Sequence, residues 1–484
     1  MNFRMIFYLL GHITRVEALF MLPAAAISYF QGEAASWKAF LVAIALLVLV
    51  GLPVLRAPAR KTFYAREGFV VVGLAWIVVS FFGALPFWFS GAIPSFVDCF
   101  FETASGFTTT GASILREIES LPMGILYWRS FTHWLGGMGV LVFVLAIIPM
   151  TRGSGHSLHL LRAESPGPQV GKLVPKMHQT AKILYGIYVG MTLLQILLLL
   201  AGRMPLFDAV TTAFGTAGTG GFAVKNDSMA SYSVYIQAVI TVFMALFGIN
   251  FNIYYLLLIR KVSKAFSNEE LRAYLGIMLG AILLITWNLM VHGTVGGLGM
   301  TFHHAAFQVS SIMTTTGFAT ADFNLWPELS RIILVSLMIL GASAGSTGGG
   351  IKTARVVLLW KAARNELHKM LRPRSVKLVR MDGQGVEDGT LRGIHTFMTC
   401  YCIICFFSVL LVSLDNFSLE TNLTAVLACL NNIGPGLGLV GPVGNYADFS
   451  VLSKLVLTAN MLLGRLEIFP LLILFSPSVW KRTV

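Results

Sequence analysis

Ten long apolar runs limit what this chain can fold into. They lie at about 8–30, 38–56, 67–91, 124–150, 180–202, 232–259, 272–292, 329–360, 393–414 and 450–475. A helix needs about 20 apolar residues to cross a bilayer, and nearly every run reaches that length. Of the 484 residues, 56% are hydrophobic and only 12% are charged, against about 25% charged in soluble domains. No soluble fold hides that much apolar surface behind so few charges, so a soluble enzyme and a DNA-binding protein are both excluded, despite the net charge of +13. A β-barrel is excluded too, because the runs are continuous and do not alternate. The first run has Arg4 ahead of it and Ala24-Ala25-Ala26 behind, like a signal peptide. Arg15 and Glu17 interrupt it, however, and a second span follows at once, so it reads as a retained helix.

Charge fixes the orientation. Arg56, Arg60, Lys61 and Arg66 follow the second span. Arg152, Arg162, Lys172, Lys176 and Lys182 follow the fourth, and Arg260, Lys261, Lys264 and Arg272 the sixth. A further basic stretch, from Lys352 to Arg392, follows the eighth. The alternate loops carry acids instead, among them Asp98, Glu102, Glu117, Glu119, Asp208, Asp227, Asp322, Glu328, Asp415, Glu420 and Asp448. Basic loops stay cytoplasmic, so both termini are expected there. The acidic side then faces outward, where it would concentrate cations.

The loops after spans three, five, seven and nine repeat one pattern. Each carries a short apolar stretch and then a turn of Gly with Thr or Asn. The turns are Thr109-Thr110-Gly111, Gly218-Thr219-Gly220, Thr315-Thr316-Gly317 and Asn432-Ile433-Gly434, and their glycines are 109, 97 and 117 residues apart. Such a period signals an architecture built from repeats, each unit being span, half-helix, Gly turn, span. The expected architecture is an all-α polytopic membrane protein, with four pseudo-symmetric repeats around a central pore and two extra N-terminal helices. The expected boundaries are 1–66 for those two helices, then 67–178, 179–271, 272–392 and 393–484 for the repeats.

Non-helical backbone survives at membrane depth only when buried in protein or lining a wet cavity. Four such turns meeting on one axis give a ring of backbone carbonyls able to replace the water around a monovalent cation. The half-helices aim their negative C-termini at the ion. No acid occurs within the turns, which fits an alkali cation and not a divalent one. The competing reading is that Gly and Thr serve close helix packing alone. Four turns in register with four helix pairs argue against it.

These turns resemble the Trk/Ktr/HKT superfamily of potassium transporters, and most of all its bacterial Trk membrane subunits. The resemblance covers nearly the whole chain. It rests on Ser105-Gly-Phe-Thr-Thr-Thr-Gly111, Trp134-Leu-Gly-Gly-Met-Gly139, Arg162-Ala-Glu-Ser-Pro-Gly167, Gly345-Ser-Thr-Gly-Gly-Gly350, Asn431-Asn-Ile-Gly-Pro-Gly436 and Gly464-Arg-Leu-Glu467. It implies potassium uptake across a bacterial inner membrane, with potassium as the substrate and the only metal at the filter, no resident cofactor and no enzymatic activity. Filter glycines go with potassium in that family, whereas serine at the first position goes with sodium. Gly111 matches the potassium class, and a sodium-selective or weakly selective relative is the alternative. The resemblance also implies a homodimer on a cytosolic ring of nucleotide-binding regulatory subunits. The basic loops suit that docking or anionic lipid; nucleic acid is not an expected partner.

The run from Arg331 to Trp360 is too long for one straight span, and Gly341-Ala-Ser-Ala-Gly-Ser-Thr-Gly-Gly-Gly350 lies in its middle. Glycines cost about 1 kcal/mol each inside a helix, so a broken helix is expected. A P-loop is excluded because Ile351 stands where Lys is needed. The loop would be a packing kink or a flexible segment under the filter that blocks or admits ions. The resemblance favours a gate made of Gly345, Ser346, Thr347, Gly348, Gly349 and Gly350. Arg465 lies inside the last span, where a charge costs about 2.5–3.5 kcal/mol or more. It is expected to be structurally paired, or to touch the Gly loop as an electrostatic barrier. Lys352 and Arg129 are weaker candidates. His303-His304 and Cys400, Cys402 and Cys405 lack the further ligands of a metal site.

Two other classes fail on the residues. A proton-pumping redox subunit needs Lys and Glu in mid-membrane, and the central spans nearly lack them. An organic-solute carrier needs inverted repeats, whereas these four turns all enter from outside. No acid–His relay is visible, so channel-like passage is simpler than symport.

Overall fold

The computed structural model describes residues 2–52, 65–137, 139, 177–372 and 378–480. Arg56, Arg60, Lys61, Arg152, Arg162, Lys172 and Lys176 lie outside the described residues, as does the motif from Arg162 to Gly167. Nearly all regular structure is α-helix, and one two-stranded hairpin pairs Arg380–Met381 with Gln384–Gly385.

Two helices, Phe3–Phe30 and Ala34–Gly51, pack along each other at the N-terminus. The same unit then recurs four times. Its half-helices are Phe96–Phe107, Leu206–Gly218, Leu298–Met313 and Leu419–Leu430, of 12, 13, 16 and 12 residues. At 1.5 Å rise per residue they reach roughly 18–24 Å, short of the ~30 Å hydrocarbon core. Each therefore enters the fold and turns back. The spans before them are Ala65–Gly83, Met177–Ala201, Glu269–Val291 and Asp388–Val412. Those after them begin at Met123, Val234, Glu328 and Val451.

The second spans of the repeats are less regular than the sequence suggests. The run at 232–259 was expected to be one helix. It is two, Val234–Phe247 and Phe251–Leu258, bent by 91°. The bend has a partner: the freed Gly248 carbonyl accepts from Ser343 N–H at 3.0 Å, and Phe251 N–H donates to the Gly345 carbonyl at 3.0 Å. The long run at 329–360 splits into Glu328–Leu340 and Thr353–Leu371. The last run stops at Arg465 and resumes at Phe469–Leu474. Among the described residues, six helices are long and apolar enough to cross a membrane, or seven with the bent pair counted as one; three of the ten runs are broken in this way, and the run at 124–150 extends beyond the described residues.

Charged side chains pair at both ends. At one end, Lys361 pairs with Glu269 and donates to the Arg380 carbonyl, while Asn268 donates to Asp382 at 2.7 Å. At the other, Arg116 pairs with Asp448, and the Asn226 N–H donates to Glu119 at 3.2 Å. One ion pair sits deep inside. The Arg129 Nε donates to Glu102 at 2.7 Å, both side chains are almost fully buried, and Glu102 also accepts from Ser113 Oγ and Ile114 N–H at 2.9 Å. Arg129 sends its other arm to the Ala223 carbonyl at 2.9 Å, tying the first repeat to the second. Breaking one partner of a buried pair costs about 3–5 kcal/mol. Arg129→Met and Glu102→Leu should each lower the detergent melting temperature sharply, and the double variant less than the sum of the two. Thermal aggregation followed by size-exclusion chromatography measures this.

Candidate functional site

The four half-helices end in the same cap. The N–H of the residue after each cap reaches back three residues: Thr109 to Gly106 (3.1 Å), Thr219 to Thr216 (3.0 Å), Thr315 to Ile312 (3.1 Å) and Asn432 to Cys429 (3.3 Å). The next N–H reaches back five: Thr110 to Ser105, Gly220 to Gly215, Thr316 to Ser311 and Ile433 to Ala428, each at 2.8 Å. This is the double bond of a Schellman cap, whose left-handed position is usually glycine. Here Thr109, Thr219, Thr315 and Asn432 occupy it, with φ between 55° and 59°. A β-branched residue in that region costs about 1–2 kcal/mol, so strain gathers at the ends of three half-helices.

Two residues on, each turn has a second positive φ, at Gly111 (78°), Gly221 (76°), Gly317 (86°) and Gly434 (95°). These glycines interlock. A Cβ at Gly111 would strike the Gly220 carbonyl, one at Gly221 the Thr316 carbonyl, one at Gly317 the Ile433 carbonyl, and one at Gly434 the Thr110 carbonyl. The chain of contacts runs from the first turn to the fourth and back to the first. The four turns thus close a ring, with a backbone carbonyl from each repeat beside the next repeat's glycine.

The ring corrects the register of the second turn. The counterpart of Gly111 is Gly221, not Gly220, and Gly218 is the last helical residue. The aligned turns read Thr108-Thr109-Thr110-Gly111, Gly218-Thr219-Gly220-Gly221, Thr314-Thr315-Thr316-Gly317 and Asn431-Asn432-Ile433-Gly434. Two consecutive glycines hid this shift in the sequence. In the first and third turns the flanking threonines bond each other, Thr108 to Thr110 and Thr314 to Thr316, at 2.8 Å. In the fourth, Asn432 Nδ2 donates to Thr110 Oγ1 at 3.0 Å and to the Met461 carbonyl at 2.9 Å, and Tyr446 Oη donates to the Gly434 carbonyl at 2.7 Å.

The loop Gly341–Lys352 lies directly against this ring. The Gly349 N–H donates to Thr315 Oγ1 at 2.6 Å. A Cβ at Gly348 would meet the Thr314 carbonyl, and one at Gly349 the Asn431 carbonyl, so only glycine allows this approach. Lys352, buried and with φ of 78°, donates to the Gly348 carbonyl. Arg465 ties three parts together: it donates to Thr109 Oγ1 of the first turn (3.2 Å), to the Thr347 carbonyl of the loop (2.8 Å), and to the Gly136 and Gly137 carbonyls (2.5 and 2.8 Å).

Several residues of this arrangement were not singled out in the sequence. Glu270 accepts from the Ala344 N–H at 2.5 Å. Asn250 abuts Gly345 at the bend of the sixth run. Glu467 pairs with Arg355, the latter stacked on Phe397 at 4.3 Å. His133 stacks on Phe222 at 4.1 Å. Their partners are distant in sequence, so local pattern gave no signal; only the charge of Glu467, in an apolar run, marked it. The His303-His304 pair is engaged by Gln237 Oε1 at 2.7 Å and Thr320 Oγ1 at 3.0 Å.

Fold and site together define a polytopic helical membrane protein whose four re-entrant turns converge on one axis above an internal loop. A family described as TrkH, cation transport protein, matches residues 36–482, and this chain belongs to that family. It is 35% identical to the "Trk system potassium uptake protein TrkH" of Salmonella typhimurium and 36% identical to that of Halomonas elongata, in each case over all of both chains. The crystal structure of the potassium transporter TrkH from Vibrio parahaemolyticus is similar with a TM-score of 0.88 and 31% identity, covering 99% of this chain and 100% of that one.

The loop's own anchors can be tested directly. In a background with its five cysteines replaced, Ser346→Cys should react slowly with a membrane-impermeant maleimide. Glu270→Ala frees the Ala344 N–H and should speed that labelling several-fold. An unchanged rate would mean that Glu270 does not hold the loop.

Proposed function

We propose that this protein takes up potassium across a bacterial inner membrane, with Thr110, Gly220, Thr316 and Ile433 supplying the carbonyls of a selectivity filter. The observation that carries this is the closed ring of interlocked glycines and carbonyls. A ring of neutral oxygens substitutes for the hydration shell of an alkali cation, and the half-helix C-termini add negative potential. The names of the relatives above support the same substrate. An inside-negative potential then contributes about 2.3 kcal/mol per charge per 100 mV, so channel-like passage needs no coupling ion. The acidic end would face outward and the basic end, with both termini, the cytoplasm.

The loop Gly341–Lys352 is the proposed gate. Gly345, Ser346, Thr347, Gly348, Gly349, Gly350 and Lys352 would block passage there, and the contacts of Gly348 and Gly349 with the third and fourth turns support this reading. Arg465 adds a positive charge there. We further propose a homodimer that meets a cytosolic nucleotide-binding regulatory subunit through the basic end.

Rubidium-86 uptake into potassium-starved cells lacking other potassium transporters, with the regulatory subunit coexpressed, tests the reading. Uptake should be blocked by potassium and not by sodium. Gly111→Ser and Gly434→Ser each put a side chain into a neighbouring carbonyl and should abolish the discrimination. Equal competition by sodium would make the protein a weakly selective cation transporter, and silence would sink the transport reading. Arg465→Ala removes the barrier and the loop's bond through the Thr347 carbonyl and should raise flux. If flux were unchanged, Arg465 would serve packing alone.

A further inference from the structure

The second turn of the ring differs from the other three, and the difference has one cause. Position 218 is glycine where the first and third turns have Thr108 and Thr314, and position 220 is glycine where they have Thr110 and Thr316. The pair of threonine hydroxyls that braces those turns is therefore missing. Backbone geometry does not require glycine at 220, since its φ is not positive, unlike that of Gly221. Space does. A Cβ on Gly220 would strike Cγ, Nδ1 and Cδ2 of the His133 ring, and one on Gly218 would strike the His133 carbonyl.

His133 lies in the helix Met123–Gly137 of the first repeat and is fully buried. Its Nδ1 accepts from the Phe222 N–H at 3.4 Å, directly after Gly221. The imidazole stacks on the Phe222 ring at 4.1 Å. The Arg129 guanidinium lies over the same ring at 3.6 Å and is fixed in turn by Glu102. The exit of the second turn is thus clamped at Phe222 by His133 and Arg129, both rooted in the first repeat.

We propose that His133 is the positioning residue of the second turn, replacing in trans the braces that threonines supply in the first and third. It does not touch the ion. It holds the Gly220 carbonyl in the ring, so it sets ion preference and not merely amount of folded protein. This rests on the filter reading above. One of four coordinating groups would be loosened without it. A displacement of that kind is expected to lower the potassium-over-sodium preference about tenfold.

The test measures rubidium-86 uptake with graded potassium or sodium competition, alongside the amount of monodisperse protein in membranes. His133→Ala should keep transport and lose about tenfold in preference. Adding Gly220→Thr to His133→Ala refills the vacated space, without the hydroxyl pair because position 218 stays glycine, and should restore preference in part. Gly220→Ala alone, which leaves His133 in place, should also lower it, and keeps the test open if His133→Ala fails to fold. Wild-type preference in either single variant would overturn the proposal, as would a double variant no better than His133→Ala. A wild-type protein without potassium preference would instead overturn the filter reading itself.

Discussion

Everything in this protein follows from a demand that lipid makes on the backbone: a peptide group at membrane depth must find its partner inside the protein. Four half-helices stop partway through the fold, and each stop leaves carbonyls and N–H groups that water cannot serve. The Schellman caps satisfy two N–H groups per turn. The carbonyls of Thr110, Gly220, Thr316 and Ile433 lie beside the glycine of a neighbouring repeat. The strained Thr109, Thr219 and Thr315 persist because these caps and the packing around them overdetermine the backbone. Strain held in this way is a reason to expect function at the turns, and the ring closed by Gly111, Gly221, Gly317 and Gly434 supplies the geometry.

The same demand shapes what lies beneath the ring. Breaking the eighth run at Gly341 and the sixth at Gly248 exposes backbone in both, and the two breaks satisfy each other through Ser343–Gly248 and Phe251–Gly345. Charged groups complete the accounts. Glu270 takes an N–H of the loop, Lys352 takes a carbonyl of it, and Arg465 takes one more together with two from Gly136 and Gly137. Glycine stands wherever the loop nears the ring, at Gly348 and Gly349. Backbone bonds to Gly248 and Phe251 and the packing of Ile351 against Phe397, Tyr401 and Leu430 complete its attachment.

The sequence made the repeat legible because lipid permits few alternatives. Long apolar runs, the alternation of basic loops and four Gly turns pointed to the same architecture. The broken eighth run announced itself by its glycines, and Arg465 by standing charged in an apolar segment. The bend at Gly248 did not, because Gly-Ile-Asn between apolar residues looks like any tolerated interruption. The register of the second turn was off by one, because Gly220 and Gly221 are identical in sequence and differ only in φ. His133, Glu102 and Glu270 were invisible as a group, since their partners lie in other repeats and no periodicity links them.

The claim at the centre is that the four carbonyls bind a dehydrated cation. The direct measurement is a crystal structure grown in rubidium, with anomalous scattering used to find the ion. The account predicts a rubidium peak on the axis, encircled by the carbonyl oxygens of Thr110, Gly220, Thr316 and Ile433. An ordered ring with no peak there, or rubidium confined to the acidic outer end, would contradict it.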